Sequence, residues 1–450
     1  MTLPLMQHPL MAYTFVGVDS HKHSHTFVFV DCFSRELGTM TCSNIPRDFD
    51  CFLKEAKNKY LIQGTTFCFG LEDTTHYGRP LTRFLTDLNY LVKHVNSNLV
   101  ASERNSSNTL NKSDHIDALS CARVLISRFD TLPIARINDD LFIFKSLVSR
   151  RKSMLKTNVS LKQQLHALIS ENYPSYQSYF PNIDTLHALA FFNAYPSAHL
   201  VKVSSIDQIA QLLNNATGEA MGLKKAQHKA TRIYDSVIND QVHIPHHGQH
   251  RDFTICSIIR QLSTNITEIE IIESRLTEFL DILDIPLMSM NGIDLPLACG
   301  LIDAIGDIQR FKNAASLAKY AGIAPSTYAS GNTHKEYANS RGNRALASLF
   351  YQLSVSLVMP RGKNNVIINP FFYDLYQRKR TEGKTHRQAL KVVQRRLVNV
   401  IYGIFKHKHE YINPPKSYVV DNNTGEVTDL PNVPIIQSNT DKISATFKMT

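Results

Sequence analysis

The chain has 450 residues, 43% of them hydrophobic and 20% charged, which excludes wholesale disorder and leaves room for two or three packed domains. Lys and Arg number 49 against 39 Asp and Glu, an excess of 10 with a pI near 9.1. That surplus favours a polyanionic partner, nucleic acid first; a generally basic enzyme is the plainer alternative. Seven scattered cysteines without a C-x-x-C pair argue against a disulfide framework and against structural zinc. With no basic-then-apolar leader in "MTLPLMQHPLMAY" and no apolar run near the roughly 20 residues of a bilayer span, the expectation is a soluble, cytoplasmic protein with no membrane partner.

In chain order, "TFVGVDSHKHSHTFVFVD" (14–31) predicts an antiparallel strand pair, 14–19 and 25–31, around a polar turn. "GTTFCFGLE" (64–72) predicts a further strand, "RPLTRFLTDLN" a helix, and "LVKHVN" (91–96) another strand. "SDHIDALSCARVLI" (113–126) has helical spacing, with Ser113 placed to cap it. Residues 12–135 therefore read as an α/β domain, a mixed sheet with helices packed on it. Over 138–172 the pattern becomes one long helix. Leu147, Met154, Leu161 and Leu168 recur every seven residues, while Arg151 and Asn158 interrupt the companion row. The stretch 253–285 repeats the theme. Ile255, Leu262, Ile269, Leu276 and Leu283 form one row; Ile259, Ile266 and Leu280 form the other, broken by Glu273. Two such seams predict coiled-coil pairing, within the chain or between copies. Between them, 173–252 reads as an irregular insert, and "HIPHHGQH" (243–250) as a solvated loop lacking the cysteines or acids of a metal site. Residues 286–405 predict a compact, basic, helical unit, and 406–450 a peripheral tail rich in Pro and Asn.

A carboxylate at the buried end of a strand, as at Asp19, is costly unless neutralised. Glu72 ends the 64–72 strand, and Asp114 and Asp117 lie three apart at a helix start, so they share a face. Two strand-end acids and two on a packed helix can hold a pair of divalent cations about 4 Å apart, the arrangement that clamps both oxygens in phosphodiester displacement. All-oxygen donors suit Mg2+ or Mn2+. Singly, each acid has an ordinary role at a turn or helix N-terminus, and Asp31 and Asp73 are rival carboxylates.

"GVDSHK", "GLEDTTHYG" and "NKSDHIDA" together resemble, in order and wording, the DEDD-type RuvC-like domain of IS110-type insertion-sequence recombinases, a group that includes the Piv-type DNA invertases. The resemblance implies an RNase H-like (RuvC-like) fold and a metal-binding catalytic quartet of Asp19, Glu72, Asp114 and Asp117. Residues 290–349 are similar to the same family's transposase domain, beginning with a helix-hairpin-helix-like element in "MNGIDLPLACG". This copy has Asn291 where proline is common, Asp294 where a second glycine is usual, and Ala347 in place of a frequent arginine. "APSTYASGNTHK" (324–335) carries the family's Ser-Gly element, which makes Ser330 the implied nucleophile; by residue chemistry alone Ser326 and Ser340 compete with it.

Lys335, Arg341 and Arg344 are placed to neutralise phosphate near that serine. Lys384, Arg387, Lys391 and Arg395 fall at three- and four-residue intervals and, with Arg396, form a candidate nucleic-acid-binding face. The resemblance spans roughly 12–172 and 255–405. It implies donor and target DNA as substrates, a structured noncoding guide RNA encoded by the element, and a homo-oligomer, dimer or tetramer, with composite active sites. Two other readings remain open on the residues: a metal-dependent nuclease or junction resolvase using water, and a nucleic-acid-binding protein without activity.

Overall fold

A computed structural model of the protein describes residues 8–72, 76–106, 113–242, 248–330, 333–337, 342–360, 362, 365–412, 418–420 and 427–429, the strands from 326 onward by their backbone. The chain divides into two compact units, Met1–Phe142 and Ile143–Thr450.

The first unit is built on a five-stranded sheet. Its elements are β1 (Tyr13–Ser20), β2 (Ser24–Val30), β3 (Glu36–Ser43), α1 (Pro46–Tyr60), β4 (Thr66–Leu71), α2 (Arg79–Asp87), β5 (Leu91–His94), α3 (Ser97–Ser106) and α4 (Asp114–Ser127). The strand order is β3-β2-β1-β4-β5; β1, β2 and β3 are antiparallel, whereas β4 and β5 run parallel to β1. The strands expected at 14–19, 25–31, 64–72 and 91–96 are all present, as is the helix capped by Ser113, whose hydroxyl accepts the Ile116 N–H.

Strand alternation divides the core in two. Val16, Val18, Phe27, Phe29, Phe67 and Phe69 face Phe49, Phe52 and Leu53 of α1. Phe15, Val28 and Cys68 face Ala118, Cys121, Ala122 and Leu125 of α4. On this second face Gly17 of β1 pairs in register with Gly70 of β4. A Cβ on Gly17 would lie 2.0 Å from the Ala118 carbonyl oxygen and 2.5 Å from the Ala122 nitrogen; one on Gly70 would lie 3.1 Å from Leu125. The paired glycines thus form a trough that only a bare backbone allows, and α4 lies in it.

The second unit begins within α5 (Asp139–Asn172). It continues with α6 (Leu186–Ala194), α7 (Ala198–Lys202), α8 (Ile206–Ala216), α9 (Leu223–Asp240), α10 (Gly248–Leu283), α11 (Leu295–Ile305) and α12 (Ala314–Tyr320). A hairpin of β6 (Ser326–Ser330) and β7 (Thr333–Tyr337) follows, then α13 (Arg344–Val358), α14 (Pro370–Thr381) and α15 (His386–His407). Two short strands close the described chain, β8 (Tyr418–Val420) and β9 (Val427–Asp429).

The helices α5 and α10 pair within the chain, antiparallel. The residues that interrupt their heptads answer one another. Arg151 forms an ion pair with Glu273 at 2.5 Å, and the Asn265 side-chain amide donates to the Asn158 oxygen at 2.9 Å. Around them the seam is apolar, with Met154, Leu161 and Leu165 on one helix and Ile255, Leu262, Ile269 and Leu276 on the other buried.

The stretch 173–252, expected to be irregular, is instead helical: α6 to α9 and the start of α10 pack on a core of Tyr173, Phe180, Phe191, Phe192, Ile209, Leu213 and Ile233. Short helices broken by Pro196 and by the positive-φ Gly218 and Gly222 hide the period from a long window, although Ala226, Ala230, Ile233 and Val237 of α9 do keep it. Residues 243–247 of "HIPHHGQH" lie outside the described residues; 248–250 open α10. Among the described residues, no helix is long and apolar enough to cross a membrane.

Candidate active site

The glycine trough positions the acids. Two residues beyond Gly17 on the same face of β1 comes Asp19, and two beyond Gly70 comes Glu72, just past the end of β4. Because β1 and β4 are parallel with Val18 opposite Leu71, both acids leave the sheet at the same edge. Helix α4, held down on Gly17 by Ala118 and Ala122, starts one turn earlier at that edge and carries Asp114 and Asp117. All four expected acids therefore gather at one end of the first unit.

Their electrostatics agree with the geometry. Burial pushes the Asp19 carboxyl above the usual carboxylate range; His21 pulls it back, while the charges of Asp117, Asp114 and Glu72 push it further up. His21 Nε2 lies 3.1 Å from Asp19 Oδ2 and 3.3 Å from Asp114 Oδ1. One ligand atom from each of Asp19, His21 and Asp114 falls within 4.8 Å of the others. Asp117 is buried, and its carboxylate accepts a hydrogen bond from Arg104 of α3. Beneath the acids the Cys121 thiol, pushed up to about 12 chiefly by burial, donates to the Gly70 carbonyl oxygen at 3.2 Å and stays neutral.

The donor set fits a hard divalent cation. Carboxylates crowded at this edge repel each other, as the upward push of Asp117, Asp114 and Glu72 on Asp19 shows, and among the described residues Arg104 meets one of them and the His21 imidazole two. Neither His21 nor Arg104 was singled out by spacing. His21 lies within "GVDSHK", beside Asp19; nothing in "NLVASERNSS" marks Arg104.

Asp31, a rival carboxylate, sits past the opposite end of β2 and accepts the N–H groups of Phe33 and Arg35, forming a turn away from the site. Asp73 lies outside the described residues.

In the second unit Ser330 is the last residue of β6 and pairs with Thr333, so it stands at the closed end of a hairpin in which Tyr328 pairs with Lys335. Ser326 stands at the open end, opposite Tyr337. Gly331, Ser340 and Arg341 lie outside the described residues; Arg344 is exposed at the start of α13. Just before that helix Gly342 abuts Gly322, where a Cβ would lie 2.3 Å from the Gly322 Cα, so the chain leaving the hairpin returns against the end of α12.

The turn Met290–Asp294, with Gly292 at φ +102°, leads into α11. There the Asp294 carboxylate accepts the Leu297 N–H at 3.0 Å, so one of the amides a phosphate would use is taken by the chain itself. On α15, Arg387 and Lys391 are exposed, whereas Arg395 and Arg396 are half-buried, with Arg396 over the Phe371 ring at 5.9 Å; Lys384, just before the helix, is half-buried too.

Residues 16–174 match a transposase family model of the IS110 DEDD type, and residues 285–366 match the transposase model of the IS116/IS110/IS902 family. The chain is 25% identical to the 43.6 kDa protein of insertion element IS110 from Streptomyces coelicolor over 300 residues, 66% of this chain and 71% of that one. It is 23% identical to the 44.8 kDa protein of insertion element IS116 from Streptomyces clavuligerus over 408 residues, 89% and 96% of the two chains. Over 127 residues, 28% of this chain and 37% of the other, it is 28% identical to a pilin gene-inverting protein of Moraxella bovis. The sheet with its acid edge and the two matched regions define the class: a transposase, an enzyme that recombines DNA. The chain belongs to the IS110/IS116 family of insertion-element transposases.

Proposed function

We propose that this transposase cuts and rejoins DNA by a divided active site, with Asp19, Glu72, Asp114 and Asp117 holding Mg2+ or Mn2+ and Ser330 attacking the scissile phosphate. The single observation that carries the reading is the convergence of the four acids on one sheet edge around a carboxyl pushed up by burial and by its neighbours. The sheet order, with an antiparallel β1–β3 meander and parallel β4 and β5, supports an RNase H-like, RuvC-like domain.

When bound, the divalent cation supplies charge neutralisation at the phosphoryl oxygens and at the leaving oxygen. The chain's own residues do the rest. The Ser330 oxygen forms a bond to phosphorus as the bond to the departing sugar oxygen breaks; the serine gives up its proton, and the sugar leaves as a hydroxyl. The phosphoserine ester keeps the energy of the broken diester, so a second strand's hydroxyl can reverse the step without ATP. Lys335, Arg341 and Arg344 neutralise the phosphate that Ser330 attacks, and Lys384, Arg387, Lys391, Arg395 and Arg396 grip the nucleic-acid backbone. Asp19 and Ser330 belong to different units of the chain. The reaction requires them to meet, within one copy or across copies in a dimer or tetramer, with a structured noncoding RNA selecting donor and target DNA.

The experiment is covalent trapping with Mg2+, labelled DNA bearing the element's ends, and the RNA that copurifies with the protein. A denaturation-resistant protein–DNA adduct is expected, absent in Ser330→Ala and in Asp19→Ala. Cleavage that persists in Ser330→Ala would replace this mechanism with attack by water, as in a junction resolvase. No cleavage by the intact protein would leave a binding protein. Sequencing the copurified RNA tests the guide: a defined transcript complementary to both DNAs is expected, and random cellular RNA would refute it.

A further inference from the structure

The acid site contains a nitrogen that the proposed function leaves without a task. His21 follows β1 directly, and its Nε2 stands 3.1 Å from Asp19 Oδ2 and 3.3 Å from Asp114 Oδ1. One nitrogen thus faces a carboxylate oxygen from the end of β1 and another from the start of α4 at once, so three donors from two elements converge on one point. Neighbouring donors around a six-coordinate cation with bonds of about 2.1–2.2 Å stand roughly 3 Å apart, the distance from the imidazole nitrogen to each of the two oxygens, and the three residues' ligand atoms all fall within 4.8 Å of one another. Asp117, by contrast, is already engaged by Arg104.

The imidazole is also carried on a fixed turn. The His21 N–H donates to the Ser24 carbonyl at 3.0 Å, and the Asn44 N–H donates to that of His23 at 2.9 Å. The Asn44 side-chain amide reaches the carbonyls of His21 and Lys22 at 3.4 Å and of Tyr77 at 3.0 Å, tying the turn to the chain that follows Glu72. A ligand held by its backbone this way loses little freedom on binding a cation.

We propose that His21 is a ligand of the divalent cation, together with Asp19 and Asp114, so that the centre is a mixed nitrogen–oxygen site that prefers Mn2+ to Mg2+. The inference rests on the metal-binding reading of the acids given above. Imidazole nitrogen is a borderline donor that later first-row cations accept and that Mg2+, an oxygen-seeking ion, takes poorly. With about half of its side-chain surface exposed, the imidazole leaves the outer side of the centre open to water or a phosphate oxygen.

The test loads the full-length protein with Mn2+ and reads its electron paramagnetic resonance, pulsed to detect coupling to 14N, alongside Mn2+ titration and Mg2+ competition. The expected result is a nitrogen coupling that disappears in His21→Gln, with Mn2+ affinity falling about tenfold and Mg2+ affinity changing much less. His21→Asp keeps a donor in place and is expected to bind Mn2+ without nitrogen coupling and with a reduced preference over Mg2+. If Mn2+ binding is weakened by Asp19→Asn yet shows no nitrogen coupling, or a coupling that survives His21→Gln, the inference is overturned while the acid site stands. If neither Asp19→Asn nor Glu72→Gln weakens Mn2+ binding, the metal-binding reading falls and takes this one with it.

Discussion

Two places in this protein put charged or polar side chains where apolar ones would be cheaper, and they resolve the cost differently. In the α5–α10 seam each interruption meets a complement from the facing helix: Arg151 meets Glu273, and Asn158 meets Asn265. At the sheet edge of the first unit, among the described residues, the Arg104 guanidinium meets Asp117 and the His21 imidazole stands between Asp19 and Asp114. Complementary charges fix register and orientation. Charges in excess leave a repulsion that protonation or a bound cation relieves, the pattern of a candidate site rather than of a scaffold.

The largest test of that contrast is Asp19→Ala. DNA cleavage should fall by about a thousandfold or more, while DNA affinity, measured by gel shift, changes little because basic residues dominate backbone binding. Equal losses of both would place Asp19 with the scaffold. Next is Gly17→Ala, which forces a methyl into the α4 backbone; a loss of about 3 kcal/mol in denaturant unfolding, with loss of cleavage, is expected.

In the seam, Arg151→Met should cost about 2 kcal/mol by leaving Glu273 half-buried and unpaired. Arg151→Met with Glu273→Leu should recover most of that loss in a double-mutant cycle. On α15, Arg387→Gln and Lys391→Gln should each weaken DNA binding by about 1 kcal/mol or less and lower the slope of log affinity against log salt by about one. Unchanged salt slopes would remove α15 from the interface.

The smallest expected effect has a diagnostic sign. The folded Asp19 carboxyl is raised above its unfolded value, so its contribution to stability is present below the unfolded value and is lost as pH rises through the folded one. In cation-free buffer at neutral pH, Asp19→Asn should therefore melt at a higher temperature than the parent. Added Mn2+ should stabilise the parent and leave the variant unmoved. A seam charge would give the opposite sign.

Much of this was legible in the sequence because the deciding signals are local. The strands of the first unit have β-branched and aromatic runs, Ser113 precedes its helix, and the acids stand at strand ends or a helix start. The sequence also carries a sharper signal: "GVD" and "GLE" each put a glycine two residues before an acid, the pattern expected when a helix rests on the strand just behind a site. What the sequence hid was tertiary. Arg104 reaches Asp117 only because α3 lies beside α4, and the partners of Arg151 and Asn158 are more than a hundred residues away. The helices of 173–252 escaped notice because an aromatic core tolerates short, kinked segments with no sustained period. The β6–β7 hairpin escaped it because "STYASGNTHKEY" alternates weakly.

The long antiparallel pair also behaves as a ruler. At 1.5 Å per residue its 34- and 36-residue helices run about 50 Å, with the α6–α9 bundle seated on one end and α11 reached from the other, where Lys152 meets Asp303 at 2.6 Å. Removing one facing heptad from both helices would keep the register of the remaining seam yet bring the two ends about 10 Å closer. Paired whole-heptad changes in these helices would therefore reset the span between the α6–α9 bundle and α11 in discrete steps, without redesigning either end.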